Sequence, residues 1–180
     1  MSNISPEFAL LGFLIAEPGH GYDLHQQFQA ELGDVWHLSQ SQAYTILKRL
    51  ETRGDITSQQ VEQDKLPPRQ ILHITEAGKK RFEQWLLKAG HNARSIRLEF
   101  LTRLYFTRQH YPDQIARVYA AQYAEVRVSI ERLKSLLAHL PHGQSYNRLS
   151  LDLRLRQLQL IQEWMREIQA QFDIPNESTG

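Results

Sequence analysis

The chain of 180 residues contains no cysteine. Disulfides, thiolate metal sites and cysteine nucleophiles are therefore excluded, and the composition suits a reducing cytoplasm. Long apolar runs are missing too. The stretch FALLGFLIA falls well short of the roughly 20 residues that a membrane-spanning helix needs, so no membrane partner is expected. No Lys or Arg precedes that stretch, Glu7 lies at its edge and no small-x-small site follows, so it reads as a buried first helix rather than a secretion signal. No Walker loop, GxGxxG, GxSxG or HExxH is present. Nothing has the roles a catalyst needs, so an enzyme is not expected. His20, Asp23 and His25, or His139 with His142, come nearest to a metal set. Neither group has a metal-ligand spacing or a third strong ligand, so no metal or cofactor is expected.

Charge of one sign is also lacking. The net is +1, with −2 over residues 1–90 and +3 over residues 91–180. No bulk basic signal points to nucleic acid, and the question passes to where individual charges fall. With 41% hydrophobic residues the chain can still build a real core.

Ser5-Pro6-Glu7 is a helix start, with a capping serine, a proline at the first position and an acid in the first turn. Phe8, Leu11, Leu14 and Ile15 give the helix its apolar stripe, and Glu17-Pro18-Gly19 ends it. A second helix is predicted from Tyr22 to Leu32, with Leu24, Phe28 and Leu32 four apart and Gly33 as its C-terminal cap. Ser39-Gln40-Ser41-Gln42 fits the capping box of a third helix that runs to Arg53 and stops at Gly54. Its Ala43, Ile46, Leu47 and Leu50 form a core face. Ser41, Thr45, Lys48, Arg49 and Thr52 lie opposite, with Tyr44 on the flank. Short hydroxyls that permit close approach, beside two long cations, suit a DNA major groove. Taken alone the pattern is more often an ordinary solvated face, since most amphipathic helices expose polar residues for solubility.

Two strand-like runs follow, Ile56 to Val61 and Gln70 to Thr75, joined by the polar, Pro-containing stretch from Glu62 to Arg69. Thr75-Glu76 opens a fourth helix with Phe82, Trp85 and Leu86 on one face. Helix, helix, helix, hairpin, helix is the order of a winged helix-turn-helix.

In ALLGFL, GHGYDL, SQAYTILKRLETRGDI and LHITEAGKKRFEQWL the first half of the chain resembles the PadR-like transcription regulators. The resemblance implies a homodimeric regulator, usually a repressor, whose founding member releases DNA in response to phenolic acids. It makes the third helix the recognition helix, with Ser41, Gln42, Tyr44, Thr45, Lys48 and Arg49 as DNA contacts. It places Lys65 and Arg69 at the wing tip, and Gly21 and Tyr22 at the start of a helix that can meet a phosphate. The family's wings often carry Gly-Arg-Pro and a pair of tyrosines, where this chain has Lys65-Leu66-Pro67-Pro68 and Ile71-Leu72.

The second half is predicted to be helical. A linker helix from Ala93 to Arg108 carries Arg94, Arg97, Arg103 and Arg108 against Glu99 alone. It reads as a solvated connector or as a basic stripe facing DNA or an anionic ligand. Pro112 opens a long helix that ends at Pro141, with one apolar stripe from Ile115 to Leu140. The last helix, from Tyr146 to Phe172, is apolar on two sides: Leu149, Leu153 and Leu160 on one, Leu151, Leu155 and Leu158 on the other. Its second face needs a second surface, either a partner subunit or the N-terminal domain. Leu149, Leu151, Leu153, Leu155, Leu158, Ile161 and Met165 are the expected dimerisation residues. Trp36, Trp85 and Trp164, with Tyr119 and Tyr123, suit either core packing or stacking on an aromatic effector.

The expected architecture is mainly α with a small β-hairpin wing. It comprises a winged helix-turn-helix DNA-binding domain over 1–90, a linker helix over 91–111 and a two-helix dimerisation domain over 112–175. The expected partners are double-stranded DNA with an inverted-repeat operator, a second copy of the chain and a small aromatic effector. The competing reading is a dimeric ligand-binding or scaffold module that keeps the winged-helix fold without binding DNA specifically.

Overall fold

The computed structural model describes residues 5–63, 66–141 and 143–174. The chain divides into two compact units, Met1–Leu86 and Leu87–Gly180. The fold is mostly helical with one small antiparallel sheet.

In the first unit, α1 (Glu7–Ala16) buries Ala9, Leu10, Leu11, Phe13 and Leu14, which accounts for its nearly unbroken apolar run. Ser5 does not cap it: Pro6 takes the cap position without a side-chain bond, and its carbonyl accepts from the Ala9 amide at 3.0 Å. A two-residue strand, β1 (Gly19–His20), leads into α2 (Gly21–Leu32), whose first turn is capped by the Tyr22 amide donating to His20 Nδ1. Leu24, Phe28 and Leu32 are buried at the predicted four-residue spacing. Gly33 is the C-terminal cap, as expected, and holds a right-handed conformation with φ −61°. In α3 (Gln40–Thr52) the capping box closes both ways. The Gln42 amide donates to Ser39 Oγ at 3.3 Å, and the Ser39 amide donates to Gln42 Oε1 at 3.0 Å. Gly54, with φ +77°, turns the chain out of α3 at a backbone angle that costs glycine little.

The wing consists of β2 (Ile56–Gln63) and β3 (Leu66–Ile74), antiparallel with Ile56 opposite Ile74 and Gln60 opposite Gln70. Both strands are longer than predicted, and β3 takes in Pro67 and Pro68. The sheet order is β1-β3-β2, but β1 pairs with β3 only at Leu72 and Ile71. At its prolines β3 therefore has one strand neighbour, and the absent amide hydrogens interrupt no ladder on the far side.

Helix α4 (Glu76–Leu86) begins where Thr75 Oγ accepts from the Gly78 amide at 3.1 Å. Thr75 itself is docked onto the start of β2, its amide donating to the Asp55 carbonyl at 3.0 Å. Phe82, Trp85 and Leu86 face the core, and Trp85 stacks on Phe8 of α1 with centroids 4.8 Å apart.

In the second unit, α5 (Ala93–Ser95), a π-helical stretch (Ile96–Phe100) and α6 (Leu101–His110) follow one another directly. A 3₁₀ turn (Pro112–Gln114) precedes α7 (Ile115–Ala138), and α8 (Ser145–Gln171) follows. The segment from Ala93 to Arg108 is neither a solvated connector nor a single basic stripe. Ile96, Phe100 and Leu104 join Val118, Val126, Ile130, Leu158 and Met165 in one core, and Arg103 is only 1% exposed.

Arg103 is held by a buried polar hub. Gln122 of α7 accepts from the Gly90 amide at 2.8 Å and from Arg103 Nη2 at 3.1 Å, and donates to the Gly90 carbonyl at 2.6 Å. Burial lowers the Arg103 guanidinium to about 10, with Glu99 opposing the shift, so the group is a cation at neutral pH. Tyr119 donates to the Met165 carbonyl at 2.6 Å, tying α7 to α8, and burial pushes its phenol up to about 12.

Gly78 yields a prediction for the first unit. A Cβ there would lie 2.1 Å from the Asp55 carbonyl oxygen, a backbone atom that has no rotamer to escape by. Gly78→Ala is expected to destabilise the protein by about 3 kcal/mol or more. The urea unfolding midpoint of the variant measures this, and a midpoint equal to wild type would refute the packing described.

Candidate nucleic-acid interface

The outward face of α3 is set by its inward one. With Ala43, Ile46, Leu47 and Leu50 buried, the helical repeat leaves Ser41, Gln42, Tyr44, Thr45, Lys48 and Arg49 exposed together. Two of these carry structural duties as well. Gln42 closes the capping box with its carbonyl oxygen, and Thr45 donates its hydroxyl to the Ser41 carbonyl at 2.9 Å, keeping its lone pairs outward. Lys48 is exposed and enters no ion pair among the described residues.

Arg49 stands differently. Its Nη2 donates to Glu7 Oε2 at 3.0 Å and reaches Ser5 Oγ at 3.4 Å. Glu7 also pairs with Arg53 at 3.3 Å and Arg81 at 2.7 Å. Asp55 pairs with Arg53 at 3.0 Å and with Arg81. The carboxylates are only 12% and 4% exposed, whereas the arginines are 32–47% exposed. The guanidiniums therefore cover two desolvated acids and keep their remaining donors toward solvent. Sequence reasoning missed this cluster; its only trace was an acid in the first turn of α1.

The start of α2 lies against this face. A Cβ on Gly21 would meet Tyr44 Cε1 at 2.9 Å and Leu47 Cδ1 at 3.3 Å, so the bare Gly21 backbone lets the Tyr44 ring settle on the helix start. Tyr22 and Tyr44 remain 46% and 42% exposed. Of the wing residues, Arg69 is exposed on β3, opposite Val61, while Lys65 lies outside the described residues.

The dimerisation set divides by burial. Leu158 and Met165 are buried in the core of their own unit, with Leu151, Leu155 and Ile161 packed against it. Leu158 and Met165 are thus committed within the monomer, while Leu151, Leu155 and Ile161 are only partly buried. Leu149 and Leu153 are 63% and 58% exposed, and Leu160, absent from the expected set, joins them at 67%.

Among the described residues no group of His, Asp and Glu is arranged to hold a metal ion, and no helix is long and apolar enough to cross a membrane. The histidines weighed as ligands have other work: His25 Nε2 bonds the Leu38 carbonyl at 2.9 Å, and His139 Nδ1 the Ser135 carbonyl at 2.8 Å. His142 lies outside the described residues.

Residues 10–84 match the model of the transcriptional regulator PadR-like family. The negative transcriptional regulator PadR of Bacillus subtilis (strain 168) is 31% identical over 100 residues, covering 56% of this chain and 55% of that protein. The match thus spans about half the length of that relative. Among solved structures, B. subtilis PadR in complex with operator DNA is 24% identical, with 92% of this chain and 96% of that one covered and a TM-score of 0.46. The same protein in complex with p-coumaric acid is 24% identical, with 93% and 95% covered and a TM-score of 0.42. The family and these relatives are transcription regulators, not enzymes. The N-terminal unit of the chain is thus similar, over residues 10–84, to the PadR-like family of transcriptional regulators.

Proposed function

We propose that the chain is a cytoplasmic, sequence-specific DNA-binding repressor that acts as a homodimer and is released by a small aromatic effector. The observation that carries this reading is the outward face of α3. Hydroxyls, Tyr44 and two cations share one exposed surface, anchored by a capping box at one end and by the Glu7 ion pairs near the other. Such a face can enter a major groove without reorganising, which limits the ordering cost of binding. Lys48 and Arg49 are its base readers, and Arg69 contacts the backbone from the wing.

The dimer part of the reading rests on Leu149, Leu153 and Leu160. Three leucines about two-thirds exposed in one stripe of α8 form an apolar surface that a second copy would cover. The effector part is supported by a groove within the C-terminal unit. An open groove of about 790 Å³ is walled by Ile96, Leu101, Ile161 and Trp164, with Arg94 and Arg97 at its edge. An aromatic carboxylate matches that lining. The competing module without specific DNA binding is favoured by one observation, the engagement of Arg49 with Glu7.

Four variants test the reading. Lys48→Ala is expected to cost about 1–3 kcal/mol on the operator and little on scrambled duplex. Arg69→Ala should weaken both and lower the salt slope by about one unit. Anisotropy titrations at several salt concentrations measure both, and an unchanged specific-to-random ratio for Lys48→Ala would overturn the recognition face. Glu7→Gln releases Arg49 and leaves two guanidiniums, Arg53 and Arg81, on Asp55 alone. Chemical denaturation should show a loss of about 1–2 kcal/mol, allowing for solvent screening at the arginines. Affinity for random DNA should rise in the same variant. Equal stability would mean that Glu7 is not the anchor described. Leu153→Glu should turn a sedimenting dimer into a monomer, with loss of protection over an inverted repeat whose half-sites lie about 34–36 Å apart. A wild-type protein that sediments as a monomer at micromolar concentration would defeat the dimer.

A further inference from the structure

Arg94, Arg132 and Arg154 come from three different helices, α5, α7 and α8, and line one cavity of about 210 Å³. His91, Asn92, Ser129 and Gln157 complete its polar wall, and Leu133 and Leu158, 2% and 4% exposed, form its apolar floor. No carboxylate lines it. Of the nearby acids, Glu131 pairs with Lys134 at 2.8 Å and Asp152 with Arg156 at 2.7 Å, while Glu125 accepts from the hydroxyl of Ser129 on the cavity wall at 3.2 Å. None of the three arginines enters an ion pair among the described residues.

Three like charges around one small concavity repel one another, and the apolar floor weakens solvent screening on one side. An anion removes that repulsion. Planar guanidinium forks pair bidentately with oxyanions, and forks from three directions suit a ligand with several anionic oxygens. Asn92 spends its carbonyl oxygen on the Ser95 amide at 2.9 Å, which leaves its NH₂ as a further donor. The cavity is smaller than the roughly 300–1,000 Å³ of pockets that hold drug-sized ligands, so the occupant is compact. We propose that the C-terminal unit binds a compact, multiply charged oxyanion, a phosphate-bearing or polycarboxylate metabolite, between Arg94, Arg132 and Arg154. This proposal does not depend on the DNA-binding reading. Because Arg94 and Gln157 also line the apolar groove, occupancy of the cavity constrains one wall of that groove.

The test uses full-length protein, with calorimetric titration and thermal unfolding in pyrophosphate and, separately, in citrate. Sodium chloride at matched ionic strength is the control. At least one anion is expected to bind saturably and raise the unfolding midpoint beyond the chloride control. Arg132→Gln and Arg154→Gln should each weaken that binding about tenfold or more. Arg127→Gln, which removes an exposed arginine of α7 outside the cavity, should leave it unchanged. Binding of pyrophosphate alone identifies a phosphoryl site, of citrate alone a polycarboxylate site, and of both a general polyanion site. The proposal is overturned if neither anion binds saturably, or if Arg127→Gln weakens binding as much as the cavity variants do.

Discussion

The first unit depends on the demand of two nearly buried carboxylates for cationic partners. Glu7 stands at the start of α1 and Asp55 at the start of β2, and Arg49, Arg53 and Arg81 come from α3, its C-terminal end and α4. Ion pairs between exposed groups contribute little, typically about 0–1 kcal/mol. These differ because the acids have lost most of their water, so an acid without its arginines would be left charged and poorly solvated. Four elements are thereby fixed relative to one another at the point where α3 ends. The Arg81 guanidinium also lies 5.2 Å from the Phe8 ring centroid, adding a cation–π contact to the same junction.

What was legible in the sequence was whatever is local. The capping box of α3 needs only residues three apart, and the buried spacing in α2 needs only those four apart; both are present in the fold. The strand β1 could not be read, because two residues carry no periodicity and its pairing partners, Leu72 and Ile71, lie some fifty positions away. The length of the wing was hidden for a related reason. Prolines argue against a strand unless one edge of that strand is bare, and only the sheet order shows that it is. Glu7 was read as a first-turn acid, which it is, but its hold on Arg49 spans 42 positions and leaves no local trace.

In the second unit charge misled where hydrophobicity did not. Arg94, Arg97, Arg103 and Arg108 looked alike as letters, yet Arg103 is buried against Gln122 while Arg94 faces a cavity. An arginine can be buried only if its donors are met, and the acceptor that meets one of them is a glutamine nineteen residues away with no charge to advertise it. The π-helical turn from Ile96 to Phe100 adds a phase shift that a regular helical wheel does not contain. The two-sided last helix was read correctly as two-sided, but which leucines remain outside depends on how α7 and α8 meet.

The placement of the three tryptophans has an optical consequence. Trp36 and Trp85 are 7% and 6% exposed in the first unit, while Trp164 stands half-buried in the second, edge-on to Phe100 at 6.5 Å and on the wall of the apolar groove. Indole emission shifts with the polarity around the ring, so two of these fluorophores sit in dry, settled surroundings and the third borders the space where a ligand would enter. The chain thus contains a sensor and an internal reference of the same chemical kind. Events in the C-terminal unit can be followed in the native protein through the red edge of its own emission, with no label attached.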